Sequence, residues 1–242
     1  MVVLITGGSG KLGGELKKIY PDALAPTHRE MDITSPGAIR SYVSHHVPDI
    51  VIHTAALAAI RGCEENRELA WKTNVTGTAD LISCCVAANS RCYFIYISTA
   101  CVFYGDRGDY SEDDIPYPKN FYSLTKLLGE FAVQPSQIPW LIIRTNFIAR
   151  EKWPYPKAFT DRWGTYLFVD DLALAIRQII NRKLTGIVHI CGEEKLSMYD
   201  LGKITTPDLE PMTMAEYSGP PVTQDMSLVS HRVQPFKLRR EI

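Results

Sequence analysis

The sequence has no long block of one charge and no apolar run long enough to cross a bilayer, and both absences narrow what it can do. Its 26 basic and 27 acidic residues nearly cancel, so nothing favours nucleic acid or an anionic membrane as a partner. A small polar ligand suits this balance better. The longest apolar stretches, VVLIT near the start and IVIHTAALAAI at 50–60, are too short or too interrupted for a membrane helix. No basic segment followed by a long apolar core and a small-residue cleavage site frames Met1, so no signal peptide is expected. The cysteines also lack a pattern. Cys63, Cys84, Cys85, Cys92, Cys101 and Cys191 show no CxxC spacing and sit mostly in apolar runs, which predicts free thiols in a reducing cytoplasm and no metal site.

What is present is an alternation of strand-like and helix-like segments. Val2 to Thr6 is a β-branched run ending in glycines, after which Leu12, Leu16 and Ile19 recur at helical spacing. A short second strand is expected at Ala23 to Pro26, a helix at Pro36 to Val47, a strand at Asp49 to Thr54, a helical stretch at Glu65 to Ala88, and a strand at Cys92 to Ser98. A helix around Tyr122, a strand at Trp140 to Arg144, a helix at Asp171 to Asn181 and a strand at Gly186 to Cys191 follow. Strands that are nearly continuous apolar runs, alternating with helices, predict an α/β fold: a doubly wound parallel sheet of Rossmann type. Residues 149–165 and 205–235 break the alternation with proline, aromatic and polar residues, and are expected outside the sheet as loops or a small cap beside a ligand cleft.

The turn GGSGKLG places Gly7, Gly10 and Gly13 in GxxGxxG spacing between the first strand and the first helix. There the first glycine permits the tight turn, the second lets a pyrophosphate approach backbone N–H groups, and the third permits close helix packing. A dinucleotide is the expected ligand. An acidic residue about 20 positions on would accept the ribose hydroxyls of NAD, but residues 25–29 read APTHR. Thr27, His28 and Arg29 offer a hydroxyl and cations, which suits a 2′-phosphate. NADP(H) is therefore expected, with NAD(H) as the alternative.

Tyr122 and Lys126 lie four residues apart in FYSLTKLLGE, on one face of a helix. A phenol held beside a fixed cation can serve as a proton donor. The competing reading is a solvated face, because Leu124, Leu127, Leu128 and Phe131 fall on the other side. Ser98 and Thr99 end an apolar strand, at the carboxyl edge where doubly wound sheets bind ligands. Either hydroxyl could bond a substrate carbonyl or simply close a turn.

The ordered set GxxGxxG at 7–13, MDIT at 31–34, HTAA at 53–56, Asn74 in NVTGT, IST at 97–99, YSLTK at 122–126, IIRTN at 142–146 and FVDDLA at 168–173 resembles the extended short-chain dehydrogenase/reductase superfamily. Within it, FYGDRGDYSEDDIPYPKNFYSLTKLLGE, GIVHICGEEKLSMYDL and PPVTQDMSLVS look most like the dTDP-4-dehydrorhamnose reductase family. The resemblance implies NADPH-dependent reduction of a nucleotide-linked 4-keto sugar, with Thr99, Tyr122 and Lys126 as the catalytic set. Tyr122 would protonate O4, Lys126 would lower its pKa and hold the nicotinamide ribose, and Thr99 would bind the same oxygen. Gly7, Gly10, Lys11, Leu12, Gly13, His28, Arg29, Asp32, Ile33, Thr54, Ala55, Ala56 and Asn74, with Tyr122 and Lys126, would contact the cofactor. Residues 1–148 and 164–190 would bind the dinucleotide, and 149–163 and 191–242 would form a small C-terminal cap over the nucleotide sugar. A homodimer is common in the superfamily. Asp32 could instead cap the next helix, and Asp170 with Asp171 is expected to favour a helix N-terminus.

The chain departs from the pattern at two places. Ala100 and Cys101 follow the threonine where the reductases usually carry Asp and Tyr, and where sugar 4,6-dehydratases carry the Asp and Glu that eliminate water. Neither residue can replace those acids, so dehydration is not expected. The stretch from Phe147 to Thr165 is also shorter than in typical reductases. A sugar epimerase with retained NAD(P), or a non-catalytic NADP-binding regulatory subunit, are the other readings compatible with these residues.

Overall fold

Successive residues of a strand point to opposite faces, and here that alternation sorts the core into two layers. The computed structural model describes residues 1–241. In chain order, the first half consists of β1 (Val3–Thr6), α1 (Lys11–Ile19), α2 (Pro36–His46), β2 (Ile50–His53), α3 (Ile60–Glu65), α4 (Arg67–Trp71), α5 (Gly77–Ala88) and β3 (Tyr93–Ile97). It continues with α6 (Phe121–Val133), β4 (Trp140–Thr145), β5 (Phe147–Ile148), β6 (Lys157–Phe159), β7 (Trp163–Gly164), β8 (Leu167–Phe168) and α7 (Val169–Asn181). Last come β9 (Gly186–Ile190), β10 (Leu196–Ser197), α8 (Met198–Thr205), β11 (Glu210–Met212) and β12 (Asp225–Met226).

Five of these strands form one parallel sheet in the order β1-β2-β3-β4-β9. Val3, Ile5, Ile52, Ile95 and Ile143 turn to the side covered by α1 and α7, meeting Leu12, Leu16, Leu172 and Ile176. Leu4, Val51, Phe94, Tyr96 and Ile142 turn to the other side, against Ile39 and Val43 of α2, Leu81 of α5 and Val133 of α6. Each such side chain, once fully removed from water, contributes about 1.5–3 kcal/mol. The expected doubly wound fold is what forms.

Two expectations change in detail. The segment Ala23 to Pro26 makes only a single parallel bridge, Leu24 to Leu4. Leu24 exchanges hydrogen bonds with Val3 and Ile5, but Pro26 has no N–H with which to continue a ladder. The helical stretch expected at Glu65 to Ala88 is broken at Asn66, whose side chain accepts from Leu69 N and starts α4. A π-turn at Lys72–Thr76 then joins α4 to α5.

Outside the main sheet, β6 pairs with β11, β5 with β8, and β7 lies between β10 and β12. These pieces are two or three residues long, which is why no period was visible in the sequence there. Trp153, Ala158 and Leu209 form their own small apolar cluster. Arg150 clasps the chain end to α7: it bonds Asp170 and Asp171, and its Nη1 donates to the carbonyls of Arg239 and Glu241. Arg239 also bonds both aspartates. The carboxylates thus sit in the first turn of α7, as expected, but they spend their acceptors on two arginines; neither makes a capping bond. Among the described residues all six cysteines are free, and no helix is long and apolar enough to span a membrane.

Two histidines are buried as neutral rings. His53 lies between Thr6 Oγ1 (2.6 Å) and Thr78 Oγ1 (3.0 Å); burial, aided by the Lys126 charge, takes its pKa down to about 3. Burial takes His189 down to about 4. Because the unfolded chain accepts these protons near pH 6.5 and the folded chain does not, stability falls as pH drops below about 6.5. Each ring contributes a loss of about 2 kcal/mol between pH 7 and pH 5. Urea unfolding at the two pH values should show a clearly lower midpoint at pH 5; equal midpoints would contradict the buried neutral rings.

Candidate active site

The glycine turn after β1 is built by backbone contact. Gly7 has φ +70°, and a Cβ there would lie 2.8 Å from the backbone of Ala55. A Cβ on Gly13 would stand 2.2 Å from the Gly7 carbonyl oxygen. The turn can therefore close only with hydrogen at these positions, leaving the first N–H groups of α1 open to an anion. Beside it lies a cleft of about 280 Å³ lined by Thr6, Gly7, Ser9, Gly10, Pro26, His28, Met31, Ile33, Thr54, Ala55, Ala56 and Thr73. A bare backbone cradle opening into a cleft beside the helix N-terminus fits a dinucleotide pyrophosphate. Thr54 Oγ1 donates to the Thr6 carbonyl (2.7 Å), which fixes the loop after β2 against the cradle.

Not every expected cofactor residue faces this cleft. Leu12 is buried in the core with α7, and Lys11 is exposed and pairs with Glu151 at 3.4 Å. Arg29 is exposed and does not line the cleft, whereas His28 does. Asp32 accepts from Thr34 N and Oγ1, both at 2.8 Å, and stands 3.5 Å from His28 Nε2. The cap of α2 is Ser35, not Asp32. Asn74 has its amide engaged: Oδ1 accepts from Leu57 N, and Nδ2 donates to Leu57 O and Thr125 Oγ1. It ties the loop after β2 to α6. Sequence reasoning overlooked Ser9 and Thr73, although Ser9 lies between two of the glycines.

Helix α6 brings Tyr122 and Lys126 to the sheet's carboxyl edge. Asn120 caps it by accepting from Ser123 N (2.9 Å), and Gly129 lets it close on β3. A Cβ on Gly129 would lie 2.2 Å from Tyr96 Oη and 2.9 Å from Asn74 O. The face in contact with the sheet holds Ser123, Lys126, Gly129 and Glu130, while Leu124 and Phe131 point outward, Phe131 being 54% exposed. The solvated-face reading of Tyr122 and Lys126 is thereby overturned: Lys126 is buried, whereas of the four apolar residues Leu124 and Phe131 are exposed, Leu128 is half-buried and Leu127 is in the core. Lys126 Nζ lies 4.0 Å from the Tyr96 ring centroid.

Thr99 caps the turn at Ala100–Val102 by accepting from Cys101 N (3.1 Å), and its hydroxyl neighbours the Tyr122 side chain. Desolvation holds the Tyr122 pKa above its ordinary value, with Cys101 and Cys63 adding to the rise and the Thr99 hydroxyl opposing it. The phenol is therefore neutral at pH 7. The expected lowering by Lys126 is not what dominates here. Burial instead takes Lys126 down to about 7, opposed by Glu130 and Cys63.

A second cavity, of about 580 Å³, opens on the other side of the loop that follows β2. Ala58 and Ala59 line it from that loop and Ile60 and Arg61 from the start of α3; Trp153, Tyr155, Lys157, Phe159, Arg162 and Tyr217 line it from the outlying segments. Arg162 is 8% exposed. Its Nε donates to Thr223 O (2.8 Å) and its Nη1 faces Met198 Sδ at 3.1 Å, and among the described residues no carboxylate pairs with it. A buried cation without an anion is costly unless a ligand supplies one. Only the aromatic richness of 149–165 and 205–235 signalled this cavity in the sequence.

These parts have a known counterpart. The family described as RmlD substrate binding domain matches residues 1–232. The chain belongs to the RmlD substrate binding domain family. A relative, dTDP-4-dehydrorhamnose reductase of Mycobacterium tuberculosis (strain CDC 1551 / Oshkosh), is 27% identical over 262 residues, covering 95% of this chain and 85% of that one. Methionine adenosyltransferase 2 subunit beta of Bos taurus is 25% identical over 233 residues, covering 82% and 69%. The crystal structure of dTDP-4-dehydrorhamnose reductase from Bacillus anthracis in complex with NADP superposes with a TM-score of 0.85 at 24% identity, covering 94% of this chain and 90% of that one. This RmlD-family chain therefore shares the extended short-chain dehydrogenase/reductase fold through nearly its whole length.

The cradle of this RmlD-family chain makes a direct prediction. Gly13→Ala must displace the Gly7 turn, and should weaken NADPH binding at least about tenfold, or ~1.4 kcal/mol. Fluorescence titration of NADPH measures this, and an unchanged affinity would contradict the cradle.

Proposed function

We propose that this chain is an NADPH-dependent reductase of a nucleotide-linked 4-keto sugar, acting in deoxysugar synthesis. The observation that carries the reading is the neutral Tyr122 phenol beside Thr99 at the carboxyl edge of the sheet, with the loop after β2 lining both the dinucleotide cleft and the aromatic cavity. Residues 1–148 and 164–190 then serve the dinucleotide, and 149–163 with 191–242 serve the sugar nucleotide. Trp153, Tyr155, Phe159 and Tyr217 offer faces for a base, and Arg162 with Arg61 offers charge for a diphosphate. His28 in the cleft favours the 2′-phosphate of NADP(H) over NAD(H).

A bound nicotinamide supplies the hydride. The chain's own residues handle the proton and the carbonyl oxygen. Tyr122 Oη gives its proton to O4, Thr99 Oγ1 binds the same oxygen, and the Lys126 ammonium stabilises the phenolate that remains. Ala100 and Cys101 offer no acid for elimination, which argues against dehydration. Six free cysteines suit a reducing cytoplasm, and the outward Leu124 and Phe131 suit a homodimer.

A second reading draws on one relative. Methionine adenosyltransferase 2 subunit beta is named as a subunit of another enzyme, so a chain of this fold can be read as a non-catalytic NADP-binding partner. NADPH oxidation with a panel of dTDP-, UDP- and GDP-linked 4-keto sugars separates the two. The reductase reading predicts turnover with at least one sugar, and a loss of about 10²–10⁴-fold in kcat for Tyr122→Phe with NADPH affinity unchanged. NADPH binding with no sugar reduced, or equal turnover by the variant, would refute it.

A further inference from the structure

Below the tyrosine helix lies a charged pair that the proposed reaction does not use. Glu130 and Arg144 are both buried, at 0% and 2% exposure. Arg144 Nη2 donates to Glu130 Oε2 at 2.7 Å, and its Nε reaches both carboxylate oxygens at 3.0 and 3.2 Å. Ser98 Oγ donates to Glu130 Oε1 at 2.5 Å. One carboxylate thus joins α6, β4 and the end of β3, where Ser98 precedes Thr99. Arg144 Nη1 has no partner, so this is not an optimised structural pair. Burying such a pair contributes little stability compared with apolar packing, which leaves its position to be explained.

That position is one helical turn after Lys126, on the same inward face. The titratable groups around the Lys126 ammonium are Glu130 and the neutral Tyr122 on its own helix, Tyr96 from β3, His53 from β2 and Cys63 from α3. Burial keeps His53 neutral, with a pKa of about 3, and pushes the Cys63 thiol up to about 11. Tyr96 is likewise pushed well above the ordinary phenol range. Near pH 7, Glu130 is therefore the one anion set against the lysine, and Arg144 and Ser98 prevent it from turning away.

We propose that Glu130 is a positioning residue of this site: clamped by Arg144 and Ser98, its carboxylate sets where the Thr99 strand end meets the tyrosine helix and supplies the negative charge that keeps Lys126 an ammonium. The role given to Lys126 rests on the reductase reading. The charge on Lys126 can be measured without any substrate. Glu and Arg are almost never fully buried unless paired, and a carboxylate one helical turn away on the same face favours the protonated amine.

The test is an NMR titration of the whole protein labelled with ¹³Cε-lysine, with the Lys126 resonance assigned by its loss in Lys126→Arg. Wild type should titrate near pH 7. Glu130→Gln/Arg144→Met removes both charges without leaving one unpaired, so it should fold, and its Lys126 midpoint should lie at least about one pH unit lower. Glu130→Gln alone leaves Arg144 unopposed and should lie lower still. Ser98→Ala keeps both charges and should leave the midpoint within a few tenths of wild type while slowing turnover. A double variant with the wild-type midpoint, or a Ser98→Ala shift equal to that of Glu130→Gln, would overturn the assignment. If the midpoints follow the expected order but no sugar is reduced, Glu130 keeps its role and the reductase reading fails alone.

Discussion

The site depends on how closely helix α6 can approach strand β3. Gly129 passes Tyr96 with no room for a Cβ, and every important group on the helix follows from that contact. It buries Lys126 over the Tyr96 ring, brings Tyr122 beside Thr99, and sets Glu130 under the strand end. A methyl group at residue 129 would push the helix away and separate hydroxyl, phenol and ammonium at once. Close-packed interiors transmit such displacements instead of absorbing them.

Burial also sets the charges, and it acts against both ionised forms. Desolvation keeps the Tyr122 phenol protonated and draws Lys126 down to about 7, so the two side chains begin as a proton donor beside a weakened cation. In the proposed reaction the charge that forms on the phenol oxygen is one that Lys126 can stabilise. Arg162, on the far side of the loop after β2, is the complementary case. It is a buried cation with only carbonyl and thioether neighbours, and an anionic ligand is its natural partner.

The sequence made the main sheet legible because β-branched runs such as DIVIHT and CYFIYIS must be buried on both faces. It made the glycine turn legible because Gly7, Gly10 and Gly13 stand between a strand and a helix, where hydrogen alone fits. The resemblance added Tyr122, Lys126 and Thr99 as a set. Other features could not be read locally. Which face of α6 points inward is decided by Gly129 meeting Tyr96, a contact between residues 33 positions apart in number; the apolar residues of the helix are divided, Leu127 inward and Leu124 with Phe131 outward. That Arg29 turns from the cleft while His28 enters it, and that Asn74 spends its amide on Leu57 and Thr125, are tertiary facts without a periodic signal. The strands beyond Phe147 are too short to impose any period.

The central claim is that hydride reaches a sugar carbonyl while Tyr122 supplies the proton. It is tested most directly by incubating the protein with NADPH deuterated at nicotinamide C4 and a dTDP-linked 4-keto-6-deoxy sugar, then locating the label in the product by NMR and mass spectrometry. The account predicts one deuteron bonded to sugar C4 and a hydroxyl in place of the ketone, with neither formed by Tyr122→Phe. A sugar recovered unlabelled and still a ketone, from protein shown to bind both NADPH and the sugar nucleotide, would contradict it.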